Sequence, residues 1–209
     1  MEEIIIRKRV FIGVGHGGKD PGAVANGYKE SNLNLAVAKA CAAYLERHGV
    51  EVLLSRTSDV DDPVTEVVRE CNAFSPTLAV NIHINAGGGT GFEAYYTIGG
   101  GTGKTLAQNI ETEIKALGKK SRGIKTRIDN QGRDYYAFVR DTKAPAVILE
   151  TAFIDSSDIK LIDSDAERVA YGEAYARGIL KTLGVNDDLT GKIEYYEDLL
   201  AKIRALVCS

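Results

Sequence analysis

Leu78-Ala79-Val80-Asn81-Ile82-His83-Ile84-Asn85 decides how the rest of the chain is read, because from Val80 onward apolar and polar side chains alternate. Extended backbone sends successive side chains to opposite faces, so Val80, Ile82 and Ile84 point one way and Asn81, His83 and Asn85 the other. The apolar set suits the wall of a core. The polar set, on a strand otherwise fit for the interior, needs a chemical reason.

The flanking segments alternate strand and helix. Upstream, Val10-Phe11-Ile12-Gly13-Val14 is a short apolar run ended by Gly15-His16-Gly17-Gly18, the form of a buried strand entering a loop. Leu33, Val37, Ala40, Tyr44 and Leu45 recur at helical spacing between Glu30 and His48, and Gly49 stops that helix. A second strand is expected at 51–55, and a second helix from Asp62-Pro63 to about Phe74. Downstream the pattern predicts a strand at 91–98, a helix at 104–117 closed by Gly118, and a polar loop over 119–134. Strands at 135–140 and 146–150 follow, then a short helix near 158–162 and a longer one over 166–183. This order implies an α/β protein: a single domain whose twisted, mostly parallel sheet of about six strands is covered by helices on both faces. In such sheets ligands gather beyond the carboxyl ends of the strands.

Composition narrows the possibilities without naming a function. A hydrophobic share of 44% and a charged share of 26% suit a globular protein and exclude a disordered or collagen-like chain. The net charge of −3, with no long basic run, argues against an electrostatic grip on nucleic acid. Cys41, Cys71 and Cys208 are scattered and form no Cys-x-x-Cys pair, so they read as reduced structural thiols and any metal must use His, Asp or Glu. The opening Met-Glu-Glu-Ile-Ile-Ile-Arg-Lys-Arg lacks the apolar core of a signal peptide, and no run reaches membrane-spanning length. The expectation is either a protein made and kept in the cytoplasm until something releases it, or one from which a leader has been removed, and in both cases no membrane insertion.

His16, Glu30, His83 and Glu150 each fall where a strand gives out or a helix begins. Two imidazoles and a carboxylate are the donor set of a hydrolytic zinc site that leaves one position open, and a second carboxylate can serve as acid/base. Each residue also has a plainer reading. His16 can be a loop residue, Glu30 a first-turn glutamate favoured by the helix dipole, and His83 a histidine bonded to a backbone carbonyl. Glu150 can pair with Arg56 or Arg140. Four such coincidences at one sheet edge are harder to accept than any one of them.

Five blocks carry a family resemblance: Gly-His-Gly-Gly-Lys-Asp-Pro-Gly-Ala (15–23), Glu-Ser-Asn-Leu-Asn-Leu (30–35), Ser-Arg-Thr-Ser-Asp (55–59), Asn-Ile-His-Ile-Asn (81–85) and Val-Ile-Leu-Glu-Thr-Ala-Phe-Ile (147–154). From about Val10 to Leu183 the chain resembles the zinc-dependent N-acetylmuramoyl-L-alanine amidases of the amidase-3 type, a class of cell-wall lysin. The resemblance implies one Zn2+ held by His16, Glu30 and His83, with Glu150 as the catalytic glutamate. It implies peptidoglycan as substrate, cut between the muramic lactyl group and L-alanine, with action on the wall after release, as for a phage or sporulation lysin. Asn85, on the His83 face, is a candidate substrate-binding or supporting residue. Two positions depart from the family pattern: Gly13, where Asp is common, and Asn81, where Ser is common.

Other functions fit less well. Gly99-Gly100-Gly101-Thr102-Gly103-Lys104-Thr105 resembles a phosphate-binding loop, but the pattern requires glycine at position 98, which is Ile98, so no nucleotide is expected. A zinc aminopeptidase would use the same donors on another substrate, and a non-catalytic wall-binding module would have no reason to keep Glu150. The resulting division is a catalytic domain over 1–184, a linker at 185–190 and a C-terminal helix over 191–209. Ile193, Tyr196, Leu200, Ile203 and Val207 give that helix a short heptad seam, suited to a homodimer, to packing on its own domain, or to a connector.

Overall fold

The structure, a computed structural model, describes residues 8–187. The expected C-terminal helix, its dimer seam and Cys208 lie outside the described residues.

The first strand, β1 (Arg9–Val14), is buried along nearly its whole length and lies inside the sheet. A small hairpin, β2 (Val24–Ala25) and β3 (Tyr28–Lys29), turns at Asn26 and Gly27, both with positive φ. Asn-Gly is the dipeptide such a two-residue turn favours, a signal present in the sequence but absent from the expected elements. The hairpin feeds α1 (Glu30–Arg47), followed by β4 (Glu51–Leu54), α2 (Val64–Phe74) and β5 (Leu78–Asn85). Next come β6 (Phe92–Tyr96), α3 (Gly101–Ala116), β7 (Ser121–Lys125), α4 (Ala137–Asp141) and β8 (Ala146–Phe153). A short 3-10 helix, Ser157–Leu161, leads to α5 (Asp165–Leu183), which is capped by the Ser164 side chain and ends at Gly184 in the left-handed conformation.

The main sheet has six strands in the order β4-β1-β5-β8-β6-β7. The first four run parallel; β6 is antiparallel to β8 and carries β7 beside it. One face, built from Val10, Ile12, Val80, Ile82, Val147 and Leu149, packs with α1, α3 and α5 in the larger core. The other face carries Phe11, Ala79 and Ile148, covered by Val67 and Cys71 of α2 and Phe138 and Val139 of α4. Helices cover both faces, as the alternation implied, and the second face is covered only toward the amino ends of its parallel strands. Cys41 and Cys71 are buried free thiols.

Three local expectations are corrected. The polar segment 119–134 contains β7, an edge strand with one neighbour that needs no apolar run and carries charges, as edge strands do. The expected strand at 135–140 is instead helical from Ala137: Tyr136, Phe138 and Val139 join the second core cluster, and this packing overrides their β-propensity. Glu150 is not at a strand terminus, because β8 runs on to Phe153. His83 pairs with Glu150 but Asn85 pairs with Phe153, so one extra residue enters β8 just after Glu150. A bulge there bends the strand and re-aims its side chains.

Val185 packs against the larger core, and Asp187 accepts a hydrogen bond from the Tyr44 hydroxyl at 2.8 Å while lying 3.2 Å from His48 Nε2. The chain is therefore held to α1 as it leaves α5.

Candidate metal centre

The polar stripe read from residues 81–85 sits on the uncovered end of the second face. Glu150 stands beside His83 in the parallel register and beside Glu93 in the antiparallel one. A row of three titratable side chains thus crosses β5, β8 and β6. At the other flank Gly15 leaves room for His83, since a Cβ at Gly15 would come within 2.4 Å of the imidazole.

His16 follows the end of β1 in a left-handed conformation, φ 62°, which is costly for a residue with a side chain and must be held by its surroundings. Its Nδ1 meets Asp20 Oδ2 at 2.7 Å, and its Nε2 lies 3.2 Å from Glu30 Oε1. Glu30 opens α1 with 5% exposure, and the same Oε1 lies 3.1 Å from His83 Nδ1. The carboxylate is fixed by Ala23 N–H donating to Oε2 at 3.0 Å and Ile84 N–H donating to Oε1 at 3.1 Å. One ligand atom from each of His16, Glu30 and His83 lies within 4.8 Å of the others. A Cβ at Gly22 would reach 2.6 Å from Glu30 Oε2 and 2.7 Å from His16 Cδ2, so only glycine leaves the cluster its space there.

These residues can hold a cation. Two neutral imidazoles and a carboxylate match a hydrolytic zinc site, and Asp20 on the far nitrogen of His16 is the carboxylate–histidine arrangement that orients a metal-binding ring. Without a metal the electrostatics differ for the two kinds of donor, and His16 must give up a proton before it can bind a cation. Hydrogen bonding to Glu30 and then Asp20 raises His16 to about 9 against the opposing effect of burial. Burial pushes Glu30 upward, yet hydrogen bonds from His16 and His83 leave it well below the usual carboxylate range. The carboxylate thus stays charged at neutral pH and attracts positive charge.

Glu150 behaves in the opposite way. Burial raises its carboxyl to about 7, with the negative fields of Glu30 and Glu93 adding to the shift and His83 working against it. It accepts no hydrogen bond among the described residues. The arginines considered as partners are engaged elsewhere: Arg56 with backbone carbonyls, Arg140 with Asp141. Asn85 donates to Glu93 Oε1 at 2.9 Å and accepts from Ala86 N–H. Glu93, 4% exposed, is also gripped by Arg122 at 2.7 Å, by Lys125 and by Tyr95.

A cleft of ≈ 460 Å³ opens beside this cluster, bordered by His16, His83 and Asn81 on the sheet side and by Val64, Tyr136 and Phe138 on the helix side. The glycine-rich segment at 99–105 lies at the opposite edge of the sheet, because β6 runs against β8 and ends beside Val147.

Sequence reading located His16, Glu30, His83 and Glu150, and the structure brings all four to one edge. It did not assign roles to Asp20, Asn34, Arg56 or Thr151, which support that group. Asp20 four residues after His16 was a legible signal. The Thr151 hydroxyl donating to His83 O at 3.0 Å was not, since it depends on the bulge.

A parallel-centred α/β sheet with two imidazoles and a carboxylate gathered at its carboxyl edge defines an α/β protein with a candidate metal centre of the hydrolase type. The chain belongs to the N-acetylmuramoyl-L-alanine amidase family of the amidase-3 type, whose family model matches residues 10–181. It is 35% identical over 183 residues to the N-acetylmuramoyl-L-alanine amidase CwlM of Bacillus licheniformis, covering 85% of this chain and 70% of that protein. It is 36% identical over 201 residues to the endolysin of Bacillus phage SPP1, covering 91% and 72%. The solved catalytic domain of CwlV, an N-acetylmuramoyl-L-alanine amidase from Bacillus (Paenibacillus) polymyxa, superposes with a TM-score of 0.77 at 28% identity, covering 86% of this chain and 99% of that one.

Proposed function

We propose that the chain hydrolyses the amide between N-acetylmuramic acid and L-alanine of the peptidoglycan stem peptide, with one zinc ion held by His16, Glu30 and His83 and Glu150 as acid/base. The observation that carries this reading is Glu150 beside His83 in register, a carboxyl poised near neutral pH next to three convergent metal donors. When bound, zinc supplies a Lewis acid for the scissile carbonyl and brings a water's pKa down to about 7.

The protein's own groups do the rest. Asp20 and Glu30 hold the His16 ring, and the backbone N–H groups of Ala23 and Ile84 hold Glu30, so the donors need little rearrangement. Glu150 accepts the proton of the attacking water and returns it to the amide nitrogen. That nitrogen leaves as a neutral amine, which an unprotonated amide cannot do readily. The cleft beside the cluster, lined by Val64, Val67, Tyr136 and Phe138 among others, offers apolar surface to a substrate. The substrate sets the place of action at the bacterial cell wall. Among the described residues no helix is long and apolar enough to cross a membrane.

Digestion of purified peptidoglycan tests the reading. New L-alanine amino termini without new reducing ends are expected, and a chelator should abolish them. Glu150→Gln should retain zinc and lose about 10²–10⁴-fold in rate. Near-normal turnover in that variant would remove Glu150 from the mechanism.

A further inference from the structure

Arg56 is a buried guanidinium, 4% exposed, that forms no ion pair among the described residues, although Asp62 and Asp59 lie close enough to act on its charge. Its donors go to backbone carbonyls: Nε to Val14 O at 3.2 Å, Nη1 to Ser58 O at 3.0 Å, and Nη2 to both Gly15 O at 3.2 Å and Ser31 O at 2.7 Å. Gly15 immediately precedes His16 and Ser31 immediately follows Glu30. One nitrogen therefore joins the carbonyl of the residue before one candidate ligand to the carbonyl of the residue after the other.

We propose that Arg56 is a positioning residue that sets the separation of His16 and Glu30 for cation binding. This rests on the metal reading above. The loop after β4 brings the arginine beneath the junction of β1 and α1, and Gly17 admits it, since a Cβ there would come within 2.9 Å of Nε. Asn34 makes a parallel link, donating to Gly15 O at 3.0 Å and toward Glu30 Oε1 at 3.4 Å. His16 keeps its left-handed conformation because the carbonyl before it is tied from both sides.

A planar fork with five donors can satisfy four carbonyls; a lysine ammonium cannot reach the same set. Charge acts in the other direction, because a fixed cation near the site repels a metal ion. The two effects predict opposite signs. If Arg56 matters through its charge, Arg56→Gln binds metal more tightly; if it positions the ligands, Arg56→Gln and Arg56→Lys both bind more weakly.

The test is zinc affinity of the whole chain, measured by competition with a chromogenic chelator alongside circular dichroism and thermal melting of the metal-free protein. The expected result is a Kd weakened about 10–100-fold in both variants, as for other residues that orient metal ligands, in metal-free protein that is still folded but melts lower because buried carbonyls lose their donors. Saturating zinc should then recover most of the hydrolytic rate. A Kd within about twofold of the original, or tighter binding in Arg56→Gln, overturns the proposal. So does failure of both variants to fold, which would assign Arg56 to the fold instead of the ligand spacing. Failure of the unmodified chain to bind zinc would remove the metal reading itself, a distinct outcome.

Discussion

Glu150 stands against the usual preference for paired or solvated carboxylates. Its folded value of about 7 lies above the ordinary 4.5, so the folded state holds a proton that the unfolded chain has released across that interval. Stability therefore falls as pH rises from about 4.5 to 7, and the cost is complete above 7. Glu150→Gln removes it. In metal-free protein this substitution is expected to raise stability by about 1–3 kcal/mol at pH 8 and by almost nothing at pH 4.5. Urea denaturation at the two pH values measures this, and equal effects at both would mean that burial does not hold the carboxyl up. His16, Glu30, His83 and Glu150 could be found from the sequence because strand ends, helix starts and alternation are local patterns. Arg56 and Asn34 carry no such mark. Their partners include the Gly15 carbonyl and the Ser31 carbonyl, and a carbonyl looks the same at every residue.

Among the elements, α5 shows how closely the helices pack over the larger core. A Cβ at Gly172 would meet Val37 O and Ala40 Cβ of α1, both at 2.6 Å, and one at Gly178 would come 2.6 Å from Ile110 Cα of α3. In an open helix Gly→Ala stabilises by about 1 kcal/mol. Here the methyl would have to push α1 away, so Gly172→Ala is expected to destabilise by about 1–3 kcal/mol. A gain of stability in chemical denaturation would contradict that close approach. The main helices and the parallel strands were legible because their apolar residues recur at periods of 3.6 or 2. Strand β7 and helix α4 were not. Ser-Arg-Gly-Ile-Lys has no apolar face and pairs on one side only, while the aromatic run around Phe138 folds as a helix because it caps Phe11 and Cys71.

At the scale of the molecule, the candidate ligands come from three places: the loop after β1, the first turn of α1 and the end of β5. An ion bound there links segments far apart in sequence and binds only the folded chain. Zinc at about 100 times its Kd should then add about 2.7 kcal/mol, raising the melting midpoint by about 5–10 °C for a domain of this size. Thermal melts in zinc and in chelator decide this, and coincident curves would argue against a metal held by these residues.

The sequence alone determined the α/β class, the order of its main elements and four of the residues at the candidate centre, because periodicity, turn chemistry and short motifs are properties of neighbouring residues. Tertiary structure decided that β6 and β7 run against the rest, that a bulge follows Glu150, and that Glu93 and Arg56 come to the same edge. Those outcomes depend on which strands pair and which carbonyls are left to satisfy, and both are settled only when distant segments pack together.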